Sequence, residues 1–149
     1  MLARRDEDQR IRHLVSSPPG GYMVRPPDDL AAEWQRIDQE NTRWLAEVLS
    51  AQGWPGQTLV GEEGAGAAWL LAQHADHDPV QQLTFLQALR SAAAQGQASR
   101  THLAYLEDRV RVNADQPQLY GTQFTVTDGE LGPCPIEDRE RLDELSPAP

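Results

Sequence analysis

His74 is the residue best suited to acid–base chemistry in this sequence. On a helix it shares a face with the apolar residues Leu70 and Leu71, so the side chain should point inward. Imidazole titrates near neutral pH, which allows a histidine to take up and release a proton there. We expect Asp76 or Asp108 to orient the ring. The alternative is a core histidine satisfied by one hydrogen bond.

The spacing around His74 also permits a metal site. His77 and Asp78 follow His74 at i+3 and i+4, which puts two ligands on one helical face. A third ligand could come from Asp38 or Asp108. Against this, Asp78 is well placed to cap the next helix, His77 could be solvated at a helix end, and the spacing matches no strong zinc signature. We therefore predict no cofactor, with a divalent metal as the weaker alternative.

Arg109 could hold an anionic ligand. A guanidinium binds a carboxylate through two parallel hydrogen bonds, and Tyr105 lies one turn earlier on the same helical face. Gln73 lies beside His74 and is a further candidate ligand-binding residue. The alternative for Arg109 is a structural ion pair that fixes two helices.

A second group of ligand-binding candidates lies where a loop enters a predicted hairpin. Tyr120, Thr122 and Gln123 offer two hydroxyls and an amide, groups that orient polar ligands, while Gly121 permits a turn or a close backbone approach. The alternative is a bulged hairpin base tied to the helices.

Asp38 and Asn41 are the last candidates, three residues apart on a long helix. Asn41 interrupts an apolar stripe, so we expect it to be buried, and a buried amide needs hydrogen-bond partners. Those partners could be a ligand or the backbone of the Gly53-Trp54-Pro55 turn.

The elements that position these residues are mainly helical. Helical periodicity, capping residues and breaking Gly and Pro residues predict helices over about 29–51, 65–76, 79–95 and 99–112. Alternation around Phe124 and Val126, followed by Asp128-Gly129, predicts a C-terminal β-hairpin. A short last helix over 136–145 could follow. The predicted fold is mainly α with minor β: a compact bundle of about four helices and one late hairpin.

The domain organisation follows from a Pro/Gly-rich stretch near the N-terminus. Residues 1–27 are predicted to form an arm, in which residues 1–15 could be a charged helix and SSPPGGYMVRPP is a linker. The arm is either loosely held or strapped across a pocket or partner. Residues 28–145 form one helical domain, and 146–149 form a frayed tail.

Composition excludes several classes of function. The formal charge is −10, from 23 acidic and 13 basic residues, and every basic residue is arginine. This charge disfavours binding to nucleic acid or to anionic membranes. Cys134 is the single cysteine, and without lysine there is no Schiff-base chemistry. Phosphate-loop, dinucleotide and nucleophile-elbow motifs are absent. We expect a cytoplasmic bacterial protein whose partner is a small molecule.

Three segments in combination resemble a known family. They are Gln73-His74-Ala75-Asp76, the AYLEDR segment at 104–109 and the QLYGTQ segment at 118–123. With Gly53-Trp54-Pro55 and the helix around 38–41, they resemble an uncharacterised bacterial domain-of-unknown-function family over about residues 30–136. The resemblance implies an arginine-rich C-terminal stretch and a Gly-Leu-Pro-type tail, from which ERLDELSPAP departs. It implies no reaction.

The residues favour a small enzyme. His74 would act as general acid or base in the hydrolysis, elimination or cyclisation of a small polar metabolite, which could be an anion. The alternatives are a non-catalytic binding or protein-interaction module, a metal-dependent hydrolase, and a purely structural role for the polar residues.

Overall fold

The computed structural model describes residues 1–16 and 26–138. Within them the chain forms five helices and a two-stranded antiparallel sheet, which confirms the mainly α fold with a late hairpin. In chain order the elements are α1 Leu2–Ser16, α2 Asp28–Gln52, α3 Gln57–Gln73, α4 Pro79–Ala94, α5 Arg100–Asn113, β1 Phe124–Thr127 and β2 Glu130–Pro133.

The central helix is α3, which contacts each of the other helices. Its buried positions are mostly small, including Ala65, Ala67 and Ala68, so neighbouring backbones can approach closely. The core around it is made of buried apolar side chains from α2 to α5. Its members are Leu45, Ala68, Leu71, Ala72, Ala75, Phe85, Leu86, Leu89 and Leu106.

Local signals set most helix ends. Asp78 accepts a hydrogen bond from the amide of Gln81, as expected of an N-cap followed by Pro79. Pro27 is the N-cap residue of α2, whose first turn holds Asp28 and Asp29. Acidic residues there complement the helix dipole.

The third helix starts earlier than the sequence predicts, at Gln57. Gly61 has φ 73° and interrupts the helical geometry, but the helix resumes after it. Glycine tolerates this backbone conformation at little cost, so Gly61 forms a kink within the helix.

The structure differs from the expectation of a loosely held arm at residues 2–16. Here α1 packs on α2 and α3, and Ile11 is 0% exposed. These residues are therefore part of the helical domain. The linker residues 17–25 and the tail lie outside the described residues.

The hairpin forms as predicted. Phe124 pairs with Pro133 and Thr127 with Glu130, across a turn in which Asp128 and Gly129 both have positive φ. This is the backbone of a type I′ turn. Residues 136–138 are not helical, and the rest of the last predicted helix lies outside the described residues.

Candidate active site

The imidazole of His74 is paired with a buried carboxylate that comes from α1. His74 follows the last residue of α3 as its C-cap. Its Nδ1 lies 3.0 Å from Oδ1 and 2.9 Å from Oδ2 of Asp8. Asp8 is 0% exposed. A histidine is thus held by a carboxylate from an element 66 residues away in sequence.

This contact determines which nitrogen of His74 can exchange a proton. An ionised carboxylate only accepts hydrogen bonds, so we assign the Nδ1 proton to the contact with Asp8. Arg12 Nε also lies 2.8 Å from Nδ1. A protonated Nδ1 cannot accept from it, so we assign that N–H to Asp8 Oδ2 at 3.3 Å. Nε2 is then the exchangeable position, and no described residue hydrogen-bonds it.

Arg12 connects this pair to a second carboxylate. Its Nη2 donates to Asp38 Oδ1 at 2.7 Å, and its guanidinium lies 5.0 Å from the ring centre of Trp34. The side chains of Arg12 and Asp38 are only 19% and 16% exposed. The guanidinium therefore bridges two carboxylates from different helices, Asp8 and Asp38.

The pKa values of Asp8 and Asp38 are shifted in opposite directions. Burial alone would raise the pKa of Asp8. The hydrogen bond from His74 and the charges of His74 and Arg12 together outweigh burial, so the pKa of Asp8 is lowered. Burial raises the pKa of Asp38, and the charge of Arg12 only partly offsets it. Asp8 is thereby kept ionised, whereas Asp38 holds its proton to higher pH.

A second polar cluster lies at the C-terminal end of α5. Arg109 donates from Nε to Asp76 Oδ1 at 3.0 Å and from Nη2 to Asp76 Oδ2, so the pair is bidentate. Nη1 of Arg109 donates to Gln123 Oε1 at 3.2 Å. Gln82 and Asn113 also donate to Asp76, at 3.0 and 2.7 Å. Arg109 thus pairs with a protein carboxylate, but Asp76 lies in the connection between α3 and α4 and not on a second helix.

The two clusters are electrostatic neighbours. The pKa of Arg109 is raised, chiefly by its hydrogen bond to Asp76 and less by the charge of Asp38. Asp38 on α2, which Arg12 links to the His74 pair, thus also acts electrostatically on Arg109 on α5.

None of the described hydrogen bonds of Asp108 involves His74. It is 0% exposed and accepts hydrogen bonds from the amides of Leu119, Tyr120 and Thr122 and from the Thr122 hydroxyl, at 2.7 to 3.2 Å. With its lone pairs used in this way, Asp108 fixes the loop that carries Tyr120 to Gln123. The described contacts of His74 go to Asp8 and Arg12, so Asp8 has the orienting position that we expected of Asp76 or Asp108.

Asn41 and Gln73, two further candidates, have hydrogen-bond partners for only part of their side-chain amides. Asn41 is buried as expected, but its Oδ1 accepts from Arg4 Nη1 at 3.1 Å rather than from the turn at Gly53. Gln73 Nε2 reaches only the Tyr105 carbonyl, at 3.5 Å. Asn41 Nδ2 and Gln73 Oε1 are buried and have no hydrogen-bond partner among the described residues.

The metal alternative lacks a grouped set of ligands. Asp78 is used as a helix cap, and His77 is exposed. Across residues 1–16 and 26–138, no three His, Cys, Asp or Glu side chains are arranged as metal ligands would be.

Sequence reasoning missed Asp8 and Arg12. A signal was present, because Arg4, Asp8 and Arg12 recur every four residues and therefore share one face of α1. On a segment with few apolar residues, this pattern reads as a solvated face. Nothing in it indicates that the face meets His74.

Comparison with known proteins places this five-helix domain in a family. Residues 1–146 match the model of a family of unknown function, DUF6624, and the chain belongs to that family. This confirms the resemblance found in the sequence. Neither the curated proteins nor the solved structures contain a match. None of the described helices is long and apolar enough to cross a membrane.

Proposed function

We propose that this protein is a small enzyme in which His74 is the general acid or base. The observation that carries the proposal is the contact of His74 Nδ1 with the fully buried Asp8. A carboxylate in this position fixes the tautomer and ring orientation, and it stabilises the imidazolium that forms when the other nitrogen takes a proton.

The proton would be exchanged at Nε2. A substrate group loses its proton to Nε2 while Nδ1 keeps its own proton and its bond to Asp8, and Nε2 later returns a proton to the product. Asp38 is a second candidate proton donor, because its pKa is raised and it lies near the same region. Hydrolysis, elimination or cyclisation would all use such an exchange.

The substrate that fits is a small polar metabolite. Gln73 offers a buried amide oxygen without a described partner, and Tyr105 is 40% exposed. Arg109 would hold an anion only if the anion took the place of Asp76. An arginine-only basic composition and a single cysteine support a bacterial cytoplasmic setting.

Turnover of a small-molecule library tests the proposal. The protein is incubated with pooled neutral and charged metabolites, and loss of each compound is followed by mass spectrometry. His74→Gln should abolish turnover, and Asp8→Asn should reduce it by roughly 10²-fold or more. The matched control is His77→Gln, which changes an exposed histidine three residues away and should keep the wild-type rate.

Two results would count against the enzyme. Near-wild-type turnover by a folded His74→Gln variant would remove His74 from the reaction. Binding of a library compound without any conversion, seen as a raised melting midpoint that His74→Gln loses, would support the binding module instead.

The geometry of the pair can be tested without a substrate. In nitrogen-detected NMR of the imidazole, the neutral form of His74 should carry its proton on Nδ1. In Asp8→Asn that preference should weaken, because an amide oxygen is a poorer acceptor than a carboxylate. A proton found on Nε2 in the wild type would refute the assigned arrangement.

A further inference from the structure

A cavity between α4 and α5 lies outside the His74 site. Its volume is about 350 Å³, at the small end of the range for ligand pockets. The lining combines small apolar side chains with two arginines and a tyrosine. The residues are Arg90, Ala93, Ala94, Arg100, Leu103, Ala104 and Tyr120.

The arginines of this cavity are incompletely paired. Arg100 forms no ion pair with any described residue, although the chain carries a formal charge of −10. Arg90 uses only Nη2, which donates to Glu107 Oε1 at 2.9 Å. By contrast, Arg109 donates from two of its nitrogens to the carboxylate of Asp76. The cavity therefore has guanidinium N–H groups available to a ligand.

Tyr120 completes the polar side of the cavity. Its backbone amide donates to Asp108 at 3.1 Å, so the buried carboxylate fixes the loop that presents the side chain. Burial raises the pKa of the Tyr120 phenol, the charges of Glu107 and Asp108 raise it further, and the charge of Arg90 opposes that rise less strongly. The phenol thus stays protonated at neutral pH and close to one of the two arginines.

We propose that this cavity binds a small organic carboxylate whose apolar body lies against Ala93, Leu103 and Ala104. Guanidinium groups recognise a carboxylate through paired hydrogen bonds, and the Tyr120 hydroxyl can donate a further one. The small side chains leave room for a planar or short aliphatic body. This site is separate from the proposed enzyme function, because its lining includes neither His74 nor Asp38.

Titration with benzoate tests the proposal on the full-length protein. Amide chemical shifts are followed by ¹H–¹⁵N NMR, with benzamide as a neutral ligand of nearly the same shape and acetate as a carboxylate without an apolar body. We expect saturable benzoate shifts at the amides of Ala93, Leu103 and Ala104, and clearly weaker binding of both other compounds.

Variants identify the residues that carry the binding. Arg100→Gln should weaken benzoate binding roughly tenfold, and Tyr120→Phe should weaken it less. The control is Arg43→Gln, since Arg43 is also an exposed arginine without a described ion pair but lines a different cavity. It should leave the affinity unchanged.

Three results would overturn the proposal: no saturable shift in the wild type, equal binding of benzoate and benzamide, or equal effects of Arg100→Gln and Arg43→Gln. The benzamide comparison uses only the wild type, so it decides the matter even if a variant folds poorly.

Discussion

Replacing Asp8 by Asn should destabilise the fold by about 2–3 kcal/mol. Asp8 is 0% exposed and its carboxylate serves both His74 and Arg12. Removing one partner of a buried ion pair costs about 3–5 kcal/mol. We take a smaller value because the side chains of His74 and Arg12 keep 16% and 19% exposure, so water can partly replace the lost contact.

Urea unfolding followed by tryptophan fluorescence measures this loss. For small proteins it corresponds to a midpoint lowered by roughly 1–2 M. The matched control is Asp6→Asn on the same helix, which breaks an ion pair to Arg5 at 2.7 Å whose aspartate side chain is 64% exposed. Exposed pairs contribute about 0–1 kcal/mol. Equal losses in the two variants would refute the reasoning.

The pH dependence of the same variant gives a second check. The pKa of Asp8 is lower in the folded state than in the unfolded chain, so the ionised carboxylate stabilises the fold above the unfolded pKa. That contribution is lost as the pH falls through the folded pKa. The stability gap between wild type and Asp8→Asn should therefore close in acid, and a gap that widens there would contradict the assignment.

Three further predictions concern other buried groups. Because the pKa of Asp38 is raised in the folded state, ionisation of Asp38 lowers the stability of the fold as the pH rises through the folded pKa. The free energy of urea unfolding of the wild type, compared with that of Asp38→Asn, should therefore fall from acid to neutral pH. A difference that grows over this pH range would contradict the prediction. Asp108→Asn should lower the free energy of unfolding by about 2–4 kcal/mol, because it weakens hydrogen bonds to a fully buried carboxylate. Hydrogen exchange of the backbone amides of residues 119–122 should accelerate. Unchanged protection of these amides would count against the prediction. Gly56→Ala should cost about 1–3 kcal/mol of thermal stability, because a Cβ would lie 2.8 Å from Gln97 Cβ. The control Gly132→Ala should have little effect, since a Cβ there would meet nothing within 4 Å. Equal melting midpoints of the two variants would refute the predicted clash.

Local sequence signals predicted much of the fold. Asp78-Pro79 marks the start of α4 and Asp128-Gly129 marks the hairpin turn. Both signals can be found in the sequence because each depends on residues no more than four positions away. Gly61 shows the limit of this reasoning. A glycine that interrupts the helical pattern predicts a loop. In the structure the turn before Gly61 is held by hydrogen bonds from the amides of Gln57 and Thr58 to Gln97, and the Ala-rich face of α3 packs after it.

The site was harder to predict because its partners are distant in the sequence. His74 was identified from its helical face and its proton chemistry. Asp8 was missed because the polar composition of α1 indicates a solvated helix. Long-range packing of α1, including the buried Ile11 and the contact of Arg4 with Asn41, accompanies the burial of Asp8 beside His74. A contact over 66 residues leaves no periodicity in the sequence.

The charge balance around His74 bears on the substrate. Three carboxylates, Asp8, Asp38 and Asp76, face two guanidinium groups, Arg12 and Arg109, so the region has a formal charge of −1 when all of them are ionised and His74 is neutral. A proton arriving at Nε2 brings that charge to zero, whereas an anionic substrate would add to the excess negative charge. A neutral or cationic polar substrate therefore fits this site better than an anion does, and in the library screen compounds of that kind should be the first to be converted.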